Sequence, residues 1–390
     1  MTAALPFTPA DRDFLIALRR DLHQHPELAW KDERTAGRLE KALRECGARD
    51  IRRICATGVV ARIPGTDSGA TVAVRGDIDA LPIQEATGLA FTSEHAGVMH
   101  ACGHDVHASW AVGAALLLAR QPARGDTVIL LQPAEEVGEG ARAMIEAGAV
   151  DGVRAVFGAH VDRRFPVGEV VAQAGPLAAS TDTFNILVRG RGAHGARPHM
   201  ALDPVVGAAS IVTAIQTIVS RRLDPGSPGV ISVGIIQGGT APNIIPEEVE
   251  LAGTIRATGQ AARSLLTTEL SRLASAVAAA HGLTATVSIR EGTPPLVNPP
   301  ECAAWASSAV QTLLGPAALV PLGVVNMGGE DFACYLEQVP GCFMRIGARE
   351  PDGDTVDAHT PRFAPAECAI FVGAAVLAQA ARNASSALAD

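Results

Sequence analysis

Two changes of rhythm constrain what this chain can fold into. Helical and strand patterns alternate through a helix at 104–120, a strand at 127–131, a helix at 139–147 and a strand at 155–158. Such alternation predicts a layered α/β domain on a largely parallel sheet. Around Pro176 the order becomes strand 183–188, helix 203–222, strands 230–236 and 249–257, helix 261–281 and strand 284–290, the βαββαβ unit of a ferredoxin-like domain. After Pro294-Pro295 the first style resumes through 299–314, 343–346 and 364–381. The expected architecture is therefore α/β, with a discontinuous domain, 1–177 plus 296–390, interrupted by a smaller one at 178–295. A chain of 390 residues that is 48 % hydrophobic can supply two cores.

At the N-terminus, Thr8-Pro9-Ala10-Asp11 offers a capping hydroxyl, a proline for the first helical position and a first-turn carboxylate. A helix should follow, with Phe14, Leu15, Leu18 and Leu22 on one face, ending before Pro26. A second, at 32–46, is stopped by Gly47. Strands at 59–63 and 71–75, joined by the turn from Pro64 to Gly69, read as a hairpin that delivers Asp77 and Asp79. His23 and His25 fall between the two helices and read as structural. The net charge is -9 with scattered Lys and Arg, which leaves no footprint for nucleic acid or an anionic membrane. No signal-peptide layout or membrane-length apolar run is visible, so a soluble cytoplasmic protein is expected. The seven cysteines are dispersed, with no pair at C-x-x-C spacing, which argues against a disulfide framework. Six read as core fillers; Cys102 has other company.

That company is the stretch from Met99 to His107, which packs one thiol, three imidazoles and a carboxylate ahead of an apolar helix. Thiolate and imidazole suit Zn²⁺, and carboxylates also suit Mn²⁺ or Mg²⁺. Taken alone, the stretch also reads as a helix start with a buried cysteine and solvated histidines. Downstream, an apolar strand ends in Gln132-Pro133-Ala134-Glu135-Glu136, and a short apolar run from Ala155 ends in His160. Strand ends of α/β sheets are where ligands gather. Asp79 and Asp105 are candidates to fix imidazole tautomers, and His107 shares a helical face with His104. His95, His100, His199 and His281 read as ordinary.

The chain resembles the M20 metallopeptidase and amidohydrolase family, in its branch of aminoacylase-like, hippurate and auxin-conjugate hydrolases. The resemblance runs in order through the segments 22–28, 75–82, 102–107, 132–136, 190–194, 242–246, 329–332 and 359–363. It implies a phosphorylase/hydrolase-like catalytic domain with an inserted lid and dimerisation domain. It also implies two divalent ions per subunit, Zn²⁺ or Mn²⁺ with Co²⁺ or Ni²⁺ as alternatives, on Cys102, His104, Glu136, His160 and His359, Cys102 bridging. Glu135 is the implied general base and acid. His194 is implied to reach a partner subunit's site in a homodimer or larger homo-oligomer. Asn243 and Arg256 match positions that contact the substrate's carboxylate end, although Arg256 also reads as a surface strand residue. Asp77 stands where other branches carry a ligating histidine, so that ligand comes from elsewhere, and His104 is the replacement. Glu330-Asp331-Phe332 resembles a segment near the site without an assigned role, and Ala333-Cys334-Tyr335 departs from the aromatic pair often found there. The implied activity is hydrolysis of N-acyl amino acids, a small-molecule substrate; the alternative is a dipeptidase or exopeptidase.

Overall fold

Helix α1 (Pro9–Gln24) begins where its capping residues reciprocate: Thr8 N–H donates to Asp11 at 2.8 Å and Asp11 N–H donates to the Thr8 hydroxyl at 3.2 Å. Helix α2 (Glu33–Glu45) ends ahead of Gly47, whose φ of 86° is left-handed. The computed structural model describes residues 5–389. The remaining elements, in order, are β1 (Arg49–Ile54), β2 (Gly58–Ile63), β3 (Val72–Asp77), α3 (His104–Arg120), β4 (Thr127–Gln132), α4 (Gly140–Glu146), β5 (Ala155–Pro166), β6 (Val170–Val171), β7 (Gly175–Ala178) and β8 (Asp182–Arg189). Then come β9 (Ala193–His194), α5 (Pro204–Arg221), β10 (Gly229–Gly238), β11 (Ile244–Ile245), β12 (Glu248–Ala257), α6 (Gln260–Ala280), β13 (Thr284–Arg290), β14 (Leu296–Asn298), α7 (Pro300–Leu314), α8 (Phe332–Leu336), β15 (Gly341–Arg349) and α9 (Ala369–Ala387). The chain divides into two compact units, Met1–Gly175 with Asn298–Val324 and Asp331–Asp390, and Pro176–Val297 with Val325–Glu330.

The first unit is built on a seven-stranded sheet in the order β1-β2-β4-β3-β5-β15-β6. Strands β4, β3, β5 and β15 run parallel, and the edges are antiparallel. Every residue of β3 and β4 is buried, as expected of parallel strands covered on both faces. The expected hairpin between 59–63 and 71–75 does not form, because β4 lies between these strands. The connection is tied to the segment leading into β4: Thr66 N–H donates to Ala123 O, Asp67 N–H to Arg124 O and Gly65 N–H to Asp126. The hairpin of β2 is instead with β1, through a turn in which Cys55 and Ala56 take φ of 38° and 65°. Strand β5 is also longer than the apolar run suggests. Parallel pairing with β15 from Val156 to Pro166 carries it past His160, which lies inside the strand and not at its end.

Helix α3 packs closely on β3. A Cβ on Gly76 would meet the His107 carbonyl at 2.6 Å, so glycine lets the two elements approach. Fourteen residues of α3 are buried, from His104 to Leu118, which brings its first turn into the interior.

The second unit carries a four-stranded antiparallel sheet in the order β10-β12-β8-β13, its elements running β8, α5, β10, β12, α6, β13. Burial alternates along β8 and β13, the mark of a sheet covered on one face. Its core gathers Ile186, Val188, Leu251 and Ile255 from the sheet with Ile211, Ile215 and Leu266 from the helices. Helix α5 is long and apolar enough for a membrane span by length and composition, but Ile211, Ile215 and Ile218 are fully buried in this core. Arg263 and Asp182 form a buried bidentate pair at 2.8 and 2.6 Å.

Candidate metal centre

The C-terminal ends of β3 and β4 and the interior of β5 meet the first turn of α3. Gly103, at φ 90°, turns the chain into that helix and places Cys102 and His104 on either side of the turn. After β4, Ala134 takes a left-handed φ of 56° and reverses the chain so that Glu135 and Glu136 follow. His359 reaches the same place from a loop anchored by its own N–H on Ala101 O at 2.8 Å; its φ of 64° is also left-handed. Both are non-glycine residues in a disfavoured conformation, which costs energy and is common where chemistry sets the backbone.

The side chains converge. Cys102 Sγ lies 3.2 Å from His160 Nε2. His104 Nε2 is 3.8 Å from Glu136 Oε1 and 3.9 Å from Glu135 Oε2, and His359 Nε2 is 3.3 Å from Glu136 Oε2. Among the described residues five trios of potential ligand atoms have all atoms within 4.8 Å of one another, three of them built on Asp77, His104 and His107, on His104, Glu135 and Glu136, and on Glu135, Glu330 and Asp331; the other two are Cys102, His104 and His160, and Cys102, Glu136 and His359. These last two share Cys102. Both ring nitrogens of His104 and Oε1 of Glu136 are buried with no hydrogen-bond partner among the described residues. Asp79 Oδ1 lies 3.3 Å from His104 Nδ1 but outside hydrogen-bonding geometry. Buried polar atoms without partners are costly, and an imidazole and a carboxylate oxygen in this state, beside a thiol and two further imidazoles, form a donor set suited to divalent cations. The residues fit such ions.

The electrostatics follow from burial and crowding. Burial, with Glu136 and Glu135 beside it, pushes the Cys102 thiol well up, against the opposing pull of His104. Burial opposes the charged form of His104, but Asp77, Asp79 and Cys102 outweigh it and hold that imidazole well above its usual range. His160 is pushed well down by burial, then by His107 and Arg345. Burial works against ionised Glu136, yet His359 and His104 bring its carboxyl below the ordinary value.

Around these groups lies a scaffold that the sequence shows only in part. Asp79 accepts from the backbone N–H groups of Glu135 and Glu136, each at 3.1 Å, and so fixes the segment that carries both glutamates. Asp77 is more than the missing histidine. Its Oδ1 is 2.6 Å from His107 Nδ1, its Oδ2 accepts from Arg75 at 2.6 Å, and His107 Nε2 accepts from Val161 N–H at 3.0 Å. An accepting Nε2 puts the His107 proton on Nδ1, so His107 holds the backbone beside His160 and has no nitrogen left for a ligand. Asp331, whose role the sequence leaves open, accepts from Arg75 at 3.0 Å and from Gln132 at 2.8 Å. The D-x-D spacing of Asp77 and Asp79 beyond an apolar strand was the available signal for this pair. Asp105, grouped with Asp79 and His107 in the sequence reading, makes its contacts with Arg19 at 2.7 Å and His23 at 2.8 Å instead.

His194, Asn243 and Arg256 belong to the second unit. The short strands β9 and β11 pair His194 with Ile244, and Gly195 N–H donates to Asn243 O at 2.7 Å. His194 and Asn243 line one cavity of about 490 Å³ with Ala193, Ile245 and Glu247. Arg256 is not among its lining residues. It lies half-buried on β12 opposite Val230, its pKa lowered by burial against the pull of Asp182.

Residues 73–383 match the profile of Peptidase family M20/M25/M40. The chain belongs to this family. It is 40 % identical over 376 residues to an N-acetyl-L-cysteine deacetylase of Bacillus subtilis, covering 95 % of this chain and 88 % of that one. It is 36 % identical over 381 residues to the IAA-amino acid hydrolase ILR1-like 2 of Arabidopsis thaliana, covering 96 % and 86 %. A crystal structure from Bacillus subtilis, described as a dinuclear metal binding peptidase from the M20 family, superposes with a TM-score of 0.87 at 35 % identity, covering 97 % of this chain and 99 % of that one.

Proposed function

We propose that this M20 protein hydrolyses the amide bond of N-acyl amino acids at a pair of divalent cations, releasing a carboxylate and a free amino acid. The observation that carries the reading is the pair of ligand trios sharing Cys102, with Glu135 beside Glu136. Similarity to a deacetylase and to an amino acid conjugate hydrolase supports the substrate class. Cys102, His104 and His160 would hold one ion and Cys102, Glu136 and His359 the other. Bound there, Zn²⁺ or Mn²⁺, or alternatively Co²⁺ or Ni²⁺, would supply Lewis acidity to the scissile carbonyl and to the attacking water.

This chain's own groups do the rest. Glu135 takes a proton from the attacking water as the new C–O bond forms, and returns it to the departing nitrogen as the C–N bond breaks. Asp79 keeps that carboxylate aimed by holding its backbone N–H. Asn243 and Arg256 would receive the substrate's carboxylate end. The βαββαβ unit at 178–295 is read as a ferredoxin-like lid and dimerisation domain. Its strand order supports the first part, and the exposed β10, with Ile235 and Ile236 at 53 % and 63 %, supports a homodimer in which His194 acts on the partner's site. Seven free cysteines fit a cytoplasmic location.

The resemblance to a structure described as a peptidase favours a second reading, cleavage of dipeptides. Assaying acetyl and benzoyl amino acids against free dipeptides separates the two. The proton-transfer role of Glu135 is tested by Glu135→Gln, which keeps size but cannot take the proton. Turnover is expected to fall by roughly 10²-fold to 10⁴-fold with metal content intact. A variant that loses metal instead would reassign Glu135 as a ligand.

A further inference from the structure

Four arginines are buried among the described residues: Arg19, Arg75, Arg263 and Arg345. Three have carboxylates. Arg19 lies 2.7 Å from Asp105, Arg75 lies 2.6 Å from Asp77 and 3.0 Å from Asp331, and Arg263 lies 2.6 Å from Asp182. Arg345, only 8 % exposed, forms no ion pair, and its Nε has no hydrogen-bond partner among the described residues. The Phe343 ring lies 5.6 Å from its guanidinium carbon, a contact that does not neutralise the charge.

Its position is specific. On β15, Cys342, Met344, Ile346 and Ala348 join the apolar core, and Arg345 shares the opposite face with Phe343. The parallel register sets Arg345 directly beside His160, whose Nε2 is 3.2 Å from Cys102 Sγ. Arg345 thus neighbours, by strand register, a member of one candidate ligand trio. Burying an unpaired charge is strongly unfavourable, and a methionine or leucine would fill similar space without that cost. A planar guanidinium fork whose Nε has no partner among the described residues is matched by a carboxylate.

We propose that Arg345 recognises a second carboxylate on the substrate, beyond the α-carboxylate that every N-acyl amino acid carries. The inference rests on the amidohydrolase reading and narrows its substrate class to dicarboxylic N-acyl amino acids. The α-carboxylate already has candidate partners in Asn243 and Arg256. The additional carboxylate would sit either at the end of the acyl chain, as in a succinyl group, or in the amino acid side chain, as in glutamate.

The test measures kcat/KM on N-acetylalanine, N-succinylalanine and N-acetylglutamate for the metal-loaded protein and for Arg345→Gln and Arg345→Lys, with melting curves to establish that each is folded. Calorimetry with succinate and butanoate, which differ by one carboxylate, reads binding without turnover. One of the two dicarboxylic substrates should exceed N-acetylalanine by roughly tenfold to a hundredfold, the range for a charge-assisted hydrogen-bonded contact. The substrate with the higher ratio identifies where the carboxylate sits. That ratio should collapse in Arg345→Gln and return in part in Arg345→Lys, and the preference for succinate over butanoate should shrink with it. A ratio that is the same in all three proteins, or an equal fall on every substrate, overturns the proposal. Turnover with an unaltered ratio sinks this proposal alone. No turnover on any of the three, with both metals bound, sinks the amidohydrolase reading and the proposed substrate together.

Discussion

The two units place their polar groups in opposite ways. In the first, strands β3 and β4 are buried at every position, and Arg75, Asp77, Gln132, His107 and Asp331 are joined by hydrogen bonds of 2.6–3.0 Å. In the second, one sheet face is covered, and His194 is exposed on a two-residue strand whose neighbours Gly192 and Gly195 pack against the Ile245 and Asn243 backbone. A group held by desolvated charged partners has one position. A group on an exposed short strand is free to adjust to what it meets. The first arrangement suits residues proposed to hold ions in fixed geometry, and the second suits the role proposed for His194.

That contrast breaks first at Asp77. Asp77→Ala would take the carboxylate from His107 and one of the two carboxylates from Arg75, which keeps Asp331; removing one member of a buried pair costs about 3–5 kcal/mol, and about 3 kcal/mol is expected here. Urea unfolding should show the loss; a change below about 1 kcal/mol would mean that the network is not held by charge.

Asp32 sharpens the contrast through pH. It is fully buried, accepts from the Thr57 hydroxyl at 2.9 Å, and its second oxygen has no partner among the described residues. Burial pushes its carboxyl up to about 7. The folded value lies above the unfolded one, near 3.9, so the native state keeps its proton longer. The stability tied to that proton is therefore complete below about pH 4 and is lost as pH rises towards about 7. Asp32→Asn should flatten this part of the stability profile, measured by thermal unfolding at fixed metal concentration. An unchanged slope would place the titration elsewhere.

The smallest effect is expected in the second unit. His194→Ala should change stability by no more than about 0.5 kcal/mol, the range for an exposed substitution, while turnover falls. A large loss of stability would make His194 a structural residue.

What could be read from the chain follows the same division. The element order of the second unit was legible because its strands are half-covered and alternate with long helices. That Cys102, His104, Glu135 and Glu136 lie near one another was legible because each pair is compact in sequence; the place of Asp105, on Arg19 and His23, was not. The β1–β2 hairpin was not, because Cys55 and Ala56 take positive φ without the glycine or asparagine that marks such a turn. Nor was the strand order, since β4 enters between β2 and β3 through contacts made by the 64–69 loop. Asp77 and Asp331 were opaque for a related reason: the His107 that Asp77 holds, and the Arg75 and Gln132 that Asp331 holds, are remote in sequence, and only folding brings them together.

The central claim is that one thiol is shared by two ligand sets. It is tested most directly by counting metal ions per chain in the purified protein and in Cys102→Ala after equilibration with Zn²⁺ and removal of the excess. The account predicts two ions in the parent protein and a loss affecting both positions in the variant, because each trio is reduced to two side chains. Two ions retained at full occupancy in Cys102→Ala would contradict it.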